Sequence, residues 1–268
     1  VEIDKTQESE QGQIGKSEVG MEKKIDPIRE TTDEARALAK KLIRSVRFAS
    51  LAVLEPETGY PIVSRVGVSS DVVGAPFMLA SSLSNHSQCL EQDQRASLLI
   101  GEPGKGDPLA HPRLTVIGRF ERLSKGDPLC TELRNRYLMR HPKAKLYVDF
   151  ADFDWYRLHV ERVNVNGGFG KAFLLDTEDV LSSDEGREQL AATAHDLVIR
   201  MNERHADDIG AFASQTFKVG ASKWGLVSVD GEGADFFDGE AVYRHFWDQA
   251  VPVVELEKLL MQTLGCSV

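Results

Sequence analysis

The chain has 268 residues, three cysteines and a formal net charge of −10. That length holds one large domain or two modest ones, and the acidic balance argues against nucleic-acid binding, which needs a basic footprint. Cys89, Cys130 and Cys266 have no paired spacing, no apolar run reaches membrane-spanning length, and the start lacks a signal-peptide pattern, so a cytoplasmic protein with no metal, disulfide or membrane partner is expected.

Residues 1–26 are polar and read as a mobile tail that can also pack on a partner subunit. Thr31-Thr32-Asp33-Glu34 opens a helix, with Lys40, Lys41 and Arg44 near its end, where cations suit the helix dipole. The period then changes. Residues 48–54, 61–69, 76–81, 95–100 and 113–123 read as short strands, separated by turn signals such as Glu57-Thr58-Gly59-Tyr60. A helix is expected near 128–140, and alternation returns over 155–165 until Gly167-Gly168-Phe169-Gly170 breaks it. Closely spaced strands with few helices between them fit a small antiparallel barrel better than a doubly wound sheet. From about Asp176 the character shifts to helices over 182–206 and 207–216, a meander over 223–230, 233–237 and 241–246, and an amphipathic helix over 253–264. This stretch is long enough to form its own lobe.

The segment Ser81-Ser82-Leu83-Ser84-Asn85-His86 joins an apolar strand to a short helix. Hydroxyls and backbone N–H groups at such a junction suit a phosphate, with His86 and Arg65 as sources of positive charge. Ser84 equally suits a helix N-cap, and Arg65, on an alternating strand, equally suits a solvent-facing position. The Gly167–Lys171 run lacks both the P-loop spacing and the context of a dinucleotide fingerprint; a simple bulged turn is the plain reading. His195, Asn202 and His205 fall roughly on one helix side, with Met201 one turn before His205.

The order of elements, Ser64-Arg65-Val66, the Ser-Leu-Ser-Asn-His segment and Pro112-Arg113-Leu114-Thr115 together resemble the FMN-binding split-barrel family related to pyridoxamine 5′-phosphate oxidase. Arg136-Tyr137-Leu138-Met139-Arg140-His141-Pro142, Asp152-Phe153-Asp154-Trp155-Tyr156, the glycine run and Met201-Asn202-Glu203-Arg204-His205 resemble its haem-utilisation (HugZ-type) branch, over roughly residues 30 to 265. The resemblance implies an α+β fold: an antiparallel split β-barrel over 27–175 and a small α+β domain over 176–268. It also implies a homodimer with FMN in clefts between the two barrels, haem binding in some members, and flavin- or haem-dependent oxidoreduction up to oxidative haem degradation. A non-catalytic tetrapyrrole- or protein-binding regulator is the alternative.

Carried onto this chain, the resemblance makes Arg65, Ser81, Ser82, Leu83, His86, Arg113, Gly168 and Lys171 the expected cofactor-binding residues. Gly168 would let the backbone pass a planar ring, Lys171 would meet a flavin carbonyl or a haem propionate, and Arg113 would reach the flavin or brace the interface. His245 and His205 are the candidate haem ligands. Cys89, Gln94, Arg200 and Arg204 depart from the branch's usual residues.

Overall fold

Six strands with apolar residues at every second position close on themselves into a barrel. In the computed structural model, which describes residues 28–168, 171–220 and 223–266, the first part of the chain runs β1 (Ile28–Arg29), α1 (Asp33–Ser45), β2 (Phe48–Leu54), β3 (Pro61–Ser70), β4 (Pro76–Ser81), α2 (Asn85–Gln92), β5 (Arg95–Ile100), β6 (Arg113–Arg122), α3 (Leu129–Arg140), β7 (Phe153–Asn166) and β8 (Ala172–Asp176). The second part runs α4 (Thr177–Val180), α5 (Arg187–Arg204), α6 (Ala206–Phe217), β9 (Gly225–Asp230), β10 (Gly233–Phe237), β11 (Val242–Phe246) and α7 (Leu256–Leu264). The expected tail over 1–26 and the Phe169-Gly170 pair lie outside the described residues.

The barrel order is β7-β4-β3-β2-β5-β6, closed by antiparallel β6–β7 pairing. This is the expected α+β split-barrel architecture. Leu51 and Val53 of β2, Leu98 and Ile100 of β5, Leu114 and Val116 of β6, and Leu158 and Val163 of β7 fill its interior. On β7 the inward phase would fail halfway, but the β6–β7 register shifts between Ile117 and Gly118 and restores it. Gly118 is required at that shift, because a Cβ there would stand 2.0 Å from the His159 carbonyl oxygen. β4 is buried on both faces: Met78 and Ala80 point into the barrel, while Phe77 and Leu79 pack beneath α3 against Leu133, Tyr137 and Trp155. Strand β8 was not expected from the sequence. Its Leu175, with Val180 of α4, belongs to the barrel core.

A separate core joins α5, α6 and α7 to the three-stranded sheet β11-β10-β9, through Leu197, Met201, Ile209, Leu226, Phe236, Trp247 and Leu260. Asn202 locks helix to sheet, donating to the Val198 and Leu226 carbonyls at 2.8 and 2.7 Å and accepting from the Leu226 N–H at 2.9 Å.

Between the two cores lies a buried ionic group. Arg44, in the last turn of α1 as expected, is fully enclosed; it donates to the Asp71 and Val72 carbonyls at 2.9 and 3.1 Å and lies 3.4 Å from Asp230. Arg244 spans Asp230 and Asp235, and Arg140 donates to Asp235 at 2.6 Å and to the Arg44 carbonyl at 2.5 Å. Burial alone would raise the Asp230 carboxyl, but Arg244 and Arg44 outweigh it and hold that group well below the ordinary range. Asp71 is held down in the same way by Arg157 and Arg187 against its own burial.

Candidate functional site

The Ser81–His86 junction turns inward on itself. Ser81 Oγ donates to Asp152 Oδ2 at 2.6 Å and accepts from the Leu83 N–H at 3.1 Å, while the Ser82 N–H donates to the Asp152 carbonyl at 2.7 Å. The donors expected to face a phosphate are therefore largely satisfied within the loop, and the Leu83 side chain is exposed. Ser84 stands at the N-cap of α2 but makes no capping bond from its side chain, contrary to the capping expectation. Its hydroxyl donates to the Ser81 carbonyl at 2.8 Å and lies 3.0 Å from His86 Nε2. The Asn85 and His86 N–H groups are left without partners among the described residues. Burial lowers the His86 pKa below its ordinary value, so the ring contributes no fixed positive charge.

Arg65 is exposed on β3, cross-strand from Ser50 on β2, and no partner holds its guanidinium among the described residues. The β3–β4 ladder ends at Val68–Met78, before the level of Arg65 and Ser81, so the strands separate where a shared anion site was expected. Arg65 instead borders a cleft of about 500 Å3 lined by Phe48, Ala49, Ser50, Leu99, Gly101 and Glu102, with Pro103 at one side. A second cleft continues from Phe48, Gly101 and Glu102 to Arg47 and to Glu240 and Val242 at the start of β11. The outward row Arg65–Ser50–Leu99–Thr115–Asn164–Leu174 runs from β3 to β8. Beside it Val63 is 67% exposed, and within it Leu99 and Leu174 are 46% and 45% exposed.

Arg113, at the start of β6, donates to the Leu109 and His111 carbonyls at 3.0 and 3.4 Å and so braces the preceding turn. Gly168 has φ +110°, and a Cβ there would lie 3.0 Å from the Ala110 carbonyl oxygen, so a close backbone crossing accounts for this glycine. The Gly167 N–H donates to the Lys171 carbonyl at 2.8 Å, closing the turn. Lys171 is exposed and its ammonium has no partner among the described residues.

The two haem-ligand candidates both flank α6. His245 stands edge-on to Phe212 and Trp247, with ring centroids 5.1 and 5.6 Å away, and neither ring nitrogen has a partner among the described residues. Strand alternation places it on the sheet face opposite Val242 and Arg244, so it does not line the Arg65 cleft. His205 is not on a helix side, because α5 ends at Arg204. It occupies the α5–α6 corner with Nδ1 3.1 Å from Asp208 Oδ2, the atom that also accepts from Cys266 Sγ at 3.4 Å.

The sequence offers Asp152 and His141 only within family-like segments, with no sign of their contacts, and does not reveal the pairings of the ionic group. His141 is buried at the end of α3, stacked on Tyr137, and donates from Nε2 to the Val68 carbonyl at 3.0 Å. A usable signal existed for the ionic group: Asp235 and Arg244 occupy positions of short strands whose alternate residues are otherwise apolar.

Comparison with known proteins places these features in a family. The sequence profile described as "CREG, beta-barrel" matches residues 30–181, more than half of the chain. The chloroplastic heme oxygenase HOZ of Arabidopsis thaliana is 30% identical over 180 residues, covering 65% of this chain and 54% of that protein, so the chain spans about half the length of this curated relative. Among solved structures, the protein Atu2129 of Agrobacterium tumefaciens, of unknown function, superposes with a TM-score of 0.74 at 30% identity, covering 90% of this chain and 99% of that one. The heme binding protein of Mycobacterium smegmatis superposes with a TM-score of 0.50 at 25% identity, covering 89% and 98%. With its closed six-stranded barrel and this profile match, the chain belongs to the CREG β-barrel family, within the split-barrel group that its sequence resembles.

Proposed function

We propose that the chain binds a tetrapyrrole in the cleft beside Arg65 and takes part in oxidative haem breakdown. The observation that carries this reading is the cleft itself. Its volume of about 500 Å3 is lined by Phe48, Ser50, Leu99, Glu102 and Pro103, with the Arg65 guanidinium, unpaired among the described residues, at its margin. Ligand sites are typically about 300–1,000 Å3, largely apolar, with a few placed polar groups. This lining is more mixed, with Ser50, Arg65 and Glu102 beside Phe48, Leu99 and Pro103; a flat ring carrying carboxylates would meet the apolar side chains with its face, the guanidinium taking a carboxylate by its planar fork. The relatives named for haem support the same choice. Bound haem would itself supply the redox and oxygen chemistry. The chain's residues would hold the ring edge, orient it through Arg65 and shield one face with Phe48 and Leu99. Neither His245 nor His205 lines this cleft, and the proposal assigns neither as an axial ligand within one chain.

A flavin phosphate fits the Ser81–His86 junction less well. Its Asp152 carboxylate already takes the Ser81 hydroxyl, and the His86 ring is biased towards neutrality. The exposed row with Val63, Leu99 and Leu174 is the surface on which a second copy would seat to form a homodimer, covering the cleft. The proposed division into a barrel over 27–175 and a C-terminal domain over 176–268 would be drawn after α4 instead if Val180, which packs in the barrel core with Leu175, is counted with the barrel. A second reading, tetrapyrrole binding without turnover, follows from the cleft's lining, which offers one carboxylate, Glu102, and no histidine.

Haemin titration of the purified chain tests the proposal. A shifted Soret band and an affinity lost about tenfold in Arg65→Ala are expected, tenfold corresponding to about 1.4 kcal/mol. A Soret band that never shifts, or an unchanged affinity in Arg65→Ala, refutes the site. Bleaching of the bound pigment with reductant and oxygen separates breakdown from simple binding, and FMN added instead of haemin tests the flavin reading by fluorescence quenching.

A further inference from the structure

We infer that His205, Asp208 and Cys266 form a binding site for a thiophilic divalent transition ion of the zinc class. The three offer one ligand atom each, all within 4.8 Å of one another, and all three residues are partly buried. Spacing in the sequence hides this set. His205 and Asp208 lie three apart at the α5–α6 corner, whereas Cys266 arrives from beyond α7, 58 positions after Asp208.

The separations suit a tetrahedral ion. Zinc bonds of about 2.0–2.3 Å to nitrogen, oxygen and sulfur set tetrahedral edges of about 3.4 Å between N and O and about 3.6 Å between O and S. The observed distances are 3.1 Å from His205 Nδ1 to Asp208 Oδ2 and 3.4 Å from Cys266 Sγ to the same oxygen, so an ion entering the group lengthens these two edges by a few tenths of an ångström, while the third, Nδ1 to Sγ, lies within 4.8 Å. Hydrogen bonding alone explains the convergence poorly, since a thiol is a weak donor.

The set is also preorganised. The Gly265 N–H donates to the Gln262 carbonyl, Gly265 adopts the left-handed conformation, and the Cys266 N–H donates to the Met261 carbonyl at 3.0 Å, which fixes where the thiol emerges. Leu256, Leu260 and Leu264 hold α7 in the core. Imidazole, carboxylate and thiolate are the ligand types zinc takes, and three protein ligands leave a fourth position for water. Coordination exchanges protons for the metal: the Cys266 S–H bond breaks, a sulfur–metal bond forms and that proton goes to solvent, while His205 shifts to the tautomer protonated at Nε2, freeing the Nδ1 lone pair that now faces Asp208 through its hydrogen. The carboxylate and thiolate then balance the two positive charges. Such an ion would tie the closing helix to the α5–α6 corner.

Co2+ is the probe, added to the full untagged chain without haem or flavin. One thiolate-to-cobalt charge-transfer band per chain is expected, abolished in Cys266→Ala, weakened at least tenfold in His205→Ala and Asp208→Ala, and kept in Cys89→Ala/Cys130→Ala. The absence of the band in excess Co2+, or its survival in Cys266→Ala, overturns the site. A second measurement needs no variant: Zn2+ should slow alkylation of Cys266 in the unaltered chain and leave that of Cys130 unchanged. Equal alkylation of Cys266 with and without Zn2+ also overturns it.

Discussion

Replacing Asp235 by asparagine strikes the joint between the two cores where the charges are most tightly coupled. Asp235 and Arg140 are both fully buried. Asp235 Oδ2 accepts from Arg140 Nη2 at 2.6 Å and from Ser228 Oγ, and Oδ1 accepts from Arg244 Nη1 at 3.0 Å. Arg244 keeps Asp230 after the substitution, at 2.7 Å. Arg140 keeps only the Arg44 carbonyl and the Ser228 hydroxyl, neither of them charged. The loss therefore falls on one enclosed guanidinium, whose burial already pulls its pKa down to about 10. Breaking a buried pair from one side costs about 3–5 kcal/mol. At about 2–4 °C per kcal/mol for a chain of this size, melting should fall by roughly 6–20 °C. Urea unfolding followed by tryptophan fluorescence reads the effect directly, because Trp224 and Trp247 are buried in the C-terminal core. Adding Arg140→Met removes the orphaned charge and should recover part of the loss, whereas Asp149→Asn, at the exposed Arg134–Asp149 pair, should barely move the midpoint. A loss below about 1 kcal/mol in Asp235→Asn, or a double variant no better than the single one, would refute the reasoning.

Other consequences follow from single contacts. Burial lowers the His141 pKa to about 4 from 6.5, so the unfolded chain binds a proton there that the folded chain does not. Its contribution is therefore constant above pH 6.5 and is lost as pH falls towards 4, about 3 kcal/mol across the window; urea midpoints of His141→Gln should show a correspondingly flatter pH dependence than the parent. Gly118→Ala drives a Cβ into the His159 carbonyl and should cost at least about 1–3 kcal/mol by thermal unfolding, an unshifted melt contradicting the bulge geometry. Thr32→Ala removes the side-chain cap on the Ala35 N–H, 3.2 Å long, and should lower stability by about 1 kcal/mol in the same assay.

Strand bounds were legible wherever alternation and turn chemistry agreed: β2, β4, β5 and β10 run between the residues expected from the sequence. β8 was not, because Ala172–Asp176 carries consecutive apolar residues with no alternation and follows a glycine run that reads as an ending. The candidate site was legible in its residues but not in its connections. Ser81 and His86 sit at the expected strand–helix junction, yet the partner that takes the Ser81 hydroxyl is Asp152, 71 positions away. His205 is legible as a possible ligand, but its neighbours Asp208 and Cys266 are not, since metal motifs such as paired cysteines or His-Glu-x-x-His join residues close along the chain and Cys266 lies 58 positions from Asp208.

By itself the sequence determined the local elements, the antiparallel barrel and the family, because period-two burial and turn preferences are properties of neighbouring residues. Only the tertiary structure decided which charges are buried and which are free. Arg44 and Arg65 look alike along the chain, each a cation on an amphipathic element. Arg44 is enclosed by carbonyls and carboxylates from distant segments, whereas Arg65 faces an open cleft with no partner among the described residues. The cost of burying a charge depends on which partners the fold brings to it, and that pairing is not written in local spacing.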